Sequence, residues 1–124
     1  MPVIRIEVPD GTPKPTQQRI RAGVKQAVLD TLAPKETKYD YVAVREVVAE
    51  LGDGVPLIEV DLRPGRPEER KKALVDRIAA LLQDELGVHP ADVYVLFRET
   101  PAADHYCGGT PLPAWVPAND IRPG

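Results

Sequence analysis

Apolar and polar residues alternate near the start of the chain, with Ile4, Ile6 and Val8 on one side and Arg5 and Glu7 on the other. A period of two sends successive side chains to opposite faces, so this stretch predicts a strand with one buried face. The period then changes. Ile20, Val24, Ala27, Val28 and Leu32 fall on one helical face, entered near Pro15 and closed by Pro34, which cannot continue a helix. Both patterns then return. Ile58, Val60 and Leu62 predict a second strand, and Leu74, Ile78, Leu81, Leu82 and Leu86 a second helix. That helix opens at Pro67 with Glu68 and Glu69 in its favourable first turn, and Gly87 stops it.

The return is an internal repeat. Residues 2–13 (PVIRIEVPDGTP) align with residues 56–67 (PLIEVDLRPGRP), pairing Pro2 with Pro56 and Gly11 with Gly65. Residues 41–47 (YVAVREV) align with residues 94–100 (YVLFRET) at an offset one residue shorter. Two matches in the same order indicate a duplicated unit. Strands joined by a helix of this length lie parallel, with a right-handed crossover. The expected fold is therefore α/β (α+β): tandem β-α-β units with pseudo-twofold symmetry, a four-stranded mixed sheet and both helices on one face. A single domain over residues 1–124 is expected, with unit one at about 2–50, unit two at about 56–100 and a proline-rich tail at 101–124. The other sheet face would carry Arg5, Glu7, Glu59 and Asp61 beside Val3 and Leu57. Such a surface suits either water or a polar oligomer interface.

Composition narrows the partners. At 124 residues, 43% hydrophobic and 28% charged, the chain has the makings of one packed core. A net charge of -3 without a basic stripe argues against nucleic acid. Cys107 is the single cysteine, which precludes an intrachain disulfide and is compatible with a reducing compartment. The start lacks a basic segment followed by an apolar one, and no apolar run approaches the roughly 20 residues that span a bilayer. A soluble cytoplasmic protein with no membrane partner is the expectation. Of the 14 prolines, Pro101, Pro111, Pro113, Pro117 and Pro123 lie in the tail. That density predicts an extended segment wrapped over something, or partial disorder.

Familiar catalytic signatures are missing. His89 and His105 stand apart without ligand spacing, and there is neither a phosphate loop nor a nucleophile elbow, so no metal and no cofactor are expected. Gly108-Gly109 reads as a turn. What remains is Pro2, the stretch Arg63-Pro64-Gly65-Arg66-Pro67, and the aromatic tail. The arginine stretch lies where a strand meets a helix N-terminus, which favours an anion, and two guanidiniums there suit a carboxylate. Unit one has Pro9 and Thr12 at the matching places, so turn geometry alone does not call for arginines. Two solvated loop arginines is the simpler account of the same residues. Pro2 also has a simple account, because Pro56 opens the matching strand and a proline suits a strand's first residue.

Three stretches carry a resemblance: Pro2-Val3-Ile4 behind Met1, Gly65-Arg66-Pro67-Glu68-Glu69-Arg70-Lys71, and His105-Tyr106-Cys107-Gly108-Gly109. Together they resemble the 4-oxalocrotonate tautomerase superfamily in its long, fused form, over nearly the whole chain. The spelling Arg63-Pro64-Gly65-Arg66 is similar to the cis-3-chloroacrylic acid dehalogenase branch, and the residues after it to malonate semialdehyde decarboxylase. The resemblance implies a homotrimer in which an amino-terminal proline, exposed by loss of Met1, is the catalytic acid/base on small enol or 2-oxo carboxylic acids. Pro2 and Arg66 are then the catalytic residues, with Arg63 helping to bind the substrate carboxylate. His105 and Tyr106 are candidate donors to a substrate oxygen, although Tyr106 would equally serve as a loop aromatic packed on the core. Trp115 is a candidate roof over the site, or else an interface anchor or tail staple. The places of the dehalogenase branch's histidine, tyrosine and glutamate hold Leu29, Leu96 and His105, so water lacks an activating carboxylate. The decarboxylase branch's aspartate finds Asp40 one residue out of register. A hydratase, dehalogenase-like or decarboxylase member is the alternative reading, as is a non-catalytic oligomeric binding module.

Overall fold

The repeated strand pattern buries the side chains that its period assigns to the core. Ile4, Ile6 and Val8 of β1 (Val3–Pro9) and Ile58, Val60 and Leu62 of β3 (Leu57–Leu62) are all inaccessible or nearly so. A computed structural model describes residues 2–34, 41–48 and 56–116. In chain order the remaining elements are α1 (Lys14–Thr31), β2 (Tyr41–Val47), α2 (Glu68–Leu86) and β4 (Tyr94–Glu99). A small hairpin follows, β5 (Tyr106–Cys107) and β6 (Thr110–Pro111), turned by Gly108 and Gly109, both at positive φ.

The sheet runs β2-β1-β3-β4. Each β-α-β unit contributes a parallel pair, and the two units meet antiparallel along β1 and β3, with Val3 opposite Asp61 and Ile6 opposite Ile58. This is the tandem, four-stranded mixed sheet that the repeat implies. Both helices cover one face, where Ile20, Val24, Val28 and Leu32 of the first unit meet Leu74, Ile78 and Leu82 of the second. The helices lie antiparallel, since Arg19 pairs with Glu85 at 2.9 Å while Asp30 pairs with Arg77 at 2.6 Å. Gly23 allows their close approach: a Cβ there would sit 2.7 Å from Leu81 Cδ2. Ile58→Ala, at the centre of this core, should cost about 2–5 kcal/mol in urea unfolding, because transfer and cavity costs add. A loss below about 1 kcal/mol would contradict the packing described.

On the open face of the sheet Asp61 is held by two arginines, Arg98 Nε at 2.8 Å and Arg5 Nη1 at 2.9 Å, and Arg98 also reaches Glu59 at 2.6 Å. The Arg98 hydrogen bond first, then that of Arg5, keeps the Asp61 carboxyl below its ordinary range. A group whose folded pKa is lowered contributes stability above its unfolded pKa, about 3.9, and loses it as pH falls through the folded value. Asp61→Asn should therefore flatten the fall in unfolding free energy below about pH 4. An unchanged acid-side slope in denaturant titrations would show that the clamp contributes nothing. Among the described residues no helix is long and apolar enough to cross a membrane.

Candidate active site

One end of the sheet gathers the residues singled out in the sequence. β1 begins there and β3 and β4 finish there, because β1 and β3 are antiparallel and β3 and β4 parallel. Helix α1 returns to the same end and α2 leaves from it. The β1–β3 register, continued one step, sets Pro2 opposite Leu62, the residue just before Arg63. Pro2 is buried. The end of β4 is tied in by the Thr100 N–H, which donates to the Leu62 carbonyl at 3.1 Å.

The two arginines are not solvated. Arg63 is 2% exposed and Arg66 5%, which excludes the simpler loop account. Gly65 makes the turn between them possible: its φ of +119° lies in a region that side chains rarely adopt. Arg63 Nη1 donates to the Pro113 carbonyl in the tail at 2.6 Å. Arg66 Nε donates to the Leu32 carbonyl at the end of α1 at 2.8 Å. Two more donors arrive beside it. Arg70 Nη1 bonds the Thr31 carbonyl at 3.1 Å, and Trp115 Nε1 bonds the Ala33 carbonyl at 3.2 Å.

A helix ends with carbonyls that have no intrahelical partner and carry partial negative charge. α1 has no basic residue in its own last turn, and Ala33, at φ 44°, turns the chain away into Pro34. Three consecutive carbonyls are thus capped by side chains from the second unit and the tail. The Trp115 ring also lies against both guanidiniums, 4.8 Å from Arg66 and 5.5 Å from Arg70. Such contacts are worth about 0.5–1 kcal/mol when exposed and about 2 when desolvated. Arg70 was not legible as a site residue, because it lies in the first turn of α2 while Arg66 precedes the helix, so no helical spacing links them.

The remaining candidates occupy the margin. The His105 ring Nε2 lies 2.6 Å from Thr100 Oγ1 and 3.2 Å from the Thr100 carbonyl, which fastens the hairpin to the end of β4. The His105 carbonyl accepts from the Leu112 N–H at 2.7 Å. Tyr106 is 66% exposed on the hairpin and is not packed on the core. Cys107 beside it is half-buried. Leu96 is exposed on the open sheet face, paired with Glu59, and Leu29 is half-buried on α1. Asp40 and Met1 lie outside the described residues. The structure therefore brings one tail segment against both arginines, Pro113 on Arg63 and Trp115 on Arg66, with Pro2 opposite the residue before Arg63 and His105 attached through Thr100. Chemically, two buried guanidiniums in a low-dielectric setting can hold a carboxylate and stabilise an oxyanion.

Comparison with known proteins bears on the family and the fold. A family model described as tautomerase enzyme matches residues 56–114. Probable tautomerases of Bacillus cereus and Bacillus anthracis are each 34% identical over 55 residues, covering 44% of this chain and 88% of the relative, so each is close to a single unit. A native fused 4-OT structure superposes with a TM-score of 0.77 at 21% identity, over 88% of this chain and 94% of that one. A malonate semialdehyde decarboxylase inhibited by 3-bromopropiolate gives 0.69 at 22%, over 86% and 88%. A macrophage migration inhibitory factor-like protein of Entamoeba histolytica gives 0.75 at 16%, over 90% and 98%. The solved structures share the fold, and the curated relatives are similar in sequence over a stretch about as long as one unit. The chain belongs to the tautomerase superfamily.

Proposed function

We propose that the protein is a cofactor-independent tautomerase that uses Pro2, freed by removal of Met1, as acid and base on small enol or 2-oxo carboxylic acids. The observation that carries this reading is the buried arginine pair, found in only one of the two units and set beside the start of β1. An α-amine has a reference pKa of roughly 7.7–8.0, and both burial and nearby cations disfavour its charged form. The neutral Pro2 nitrogen accepts the enol hydroxyl proton as the oxygen electrons form the carbonyl. The displaced double-bond electrons then take that proton back at carbon. Arg66, with Arg63, holds the carboxylate and stabilises the developing oxyanion. His105, Tyr106 and Trp115 line the substrate's approach. Pro56 takes no part, because its nitrogen is an amide, and each chain has one active amine.

The proposed assembly is a homotrimer. Fused 4-OT neighbours are described as symmetric and asymmetric trimers, and the open sheet face here leaves Tyr41 and Tyr94 exposed for burial against other copies. Light scattering of the purified protein should return three times the chain mass. A monomer would contradict it.

The activity is tested by following phenylenolpyruvate or 2-hydroxymuconate ketonisation by ultraviolet absorbance, where saturable turnover above the buffer rate is expected. Turnover of acetylenic or 3-oxo acids instead would favour the hydratase or decarboxylase reading. One observation favours a non-catalytic module: Arg63 and Arg66 already bond backbone carbonyls. Inertness towards all three substrate classes would support it.

A further inference from the structure

The tail helps to cover the arginines that the proposed chemistry needs. Arg63 is 2% and Arg66 5% exposed, and residues 113–115 supply part of that cover, Pro113 on Arg63 and Trp115 on Arg66. The covering groups imitate a ligand. The Pro113 carbonyl oxygen stands on Arg63 Nη1 at 2.6 Å, where an anionic oxygen would stand, and the Trp115 ring lies over Arg66 at 4.8 Å. We infer that residues 113–115 form a displaceable strap that occupies the carboxylate site in the unliganded protein and leaves it when a small carboxylate binds.

The energetics favour exchange. A carboxylate can meet a guanidinium with two parallel N–H to oxygen bonds and an opposite charge, which a single neutral carbonyl cannot offer. The strap can also swing without unpicking the hairpin, because the Leu112 N–H to His105 carbonyl bond anchors the chain immediately before it. Among the described residues, its hold beyond Arg63 includes the Trp115 ring on Arg66 and Arg70 and the bond from Trp115 Nε1 to the Ala33 carbonyl. Binding to a site that is mostly closed is weakened by the fraction open, so the strap sets the apparent affinity. This inference rests on the carboxylate-binding role proposed for Arg63 and Arg66.

Trp115 is the chain's one tryptophan, so its fluorescence reports the strap directly. The full chain is titrated with propionate, recording Trp115 emission and, in parallel, the heat of binding. Emission should shift to the red as the ring leaves Arg66 for water. Calorimetry is repeated on a chain ending at Leu112 and on Trp115→Ala, which keeps the full length should the shorter chain fold poorly. Both should bind propionate more tightly, by about tenfold for a strap closed nine-tenths of the time. Propionate binding with unshifted or blue-shifted emission, or weaker binding by both variants, would make the segment a fixed wall and overturn the strap alone. Binding by none of the three chains would overturn the carboxylate reading, and the strap with it.

Discussion

Pro2→Ala should lower turnover of a small enol acid by about 10²–10⁴-fold, the usual worth of a positioned acid/base. The variant still carries an amine once Met1 is gone, so the loss must come from position and environment. Proline's ring fixes φ, and here the residue is buried opposite Leu62 at the end of the β1–β3 ladder. Alanine leaves space around a nitrogen that is then free to turn away. The wild-type rate should also fall as pH drops through the amine's pKa, since the protonated form accepts nothing. An unaffected rate, with the far-ultraviolet circular dichroism unchanged, would refute the role.

Arg66→Ala should produce the second large effect, about 10²–10³-fold in kcat/KM on substrates that bear a carboxylate, comparable to losing an oxyanion donor. It also has a structural cost. The Leu32 carbonyl loses its 2.8 Å donor and the Trp115 ring loses one of its two cations. An unsatisfied buried acceptor costs about 1–3 kcal/mol, which urea unfolding would register separately from turnover. Arg66→Lys keeps the charge but not the planar fork that bonds Leu32 while stacking on Trp115. It should recover part of the stability and little of the activity. Equal loss on an uncharged enol would show that Arg66 acts through the fold and not through the substrate's carboxylate.

Much of the fold was legible because it rests on periodicity. Alternation in β1 and β3, and the single apolar faces of α1 and α2, name nearly every fully buried residue, and the repeat dictates how the units pair. The arginine pair was legible too, through the contrast with Pro9 and Thr12 in unit one. Its surroundings were not. The acceptors for Arg66 and Arg63 are backbone carbonyls 34 and 50 positions away, and a carbonyl leaves no signature in residue type. For the same reason Arg70 and the capped end of α1 could be found only in three dimensions. Tyr106 had two sequence accounts, and its exposure removes the one in which it packs on the core.

Pro2 remains the residue on which the account turns, since Pro56 shows that opening a strand is reason enough for a proline. The most direct measurement is the intact mass of the purified protein. Chemistry at Pro2 predicts a mass short by one methionine, leaving a secondary amine at the chain's end. A mass that includes Met1 would lock that nitrogen in an amide, as at Pro56, and would contradict the proposed mechanism.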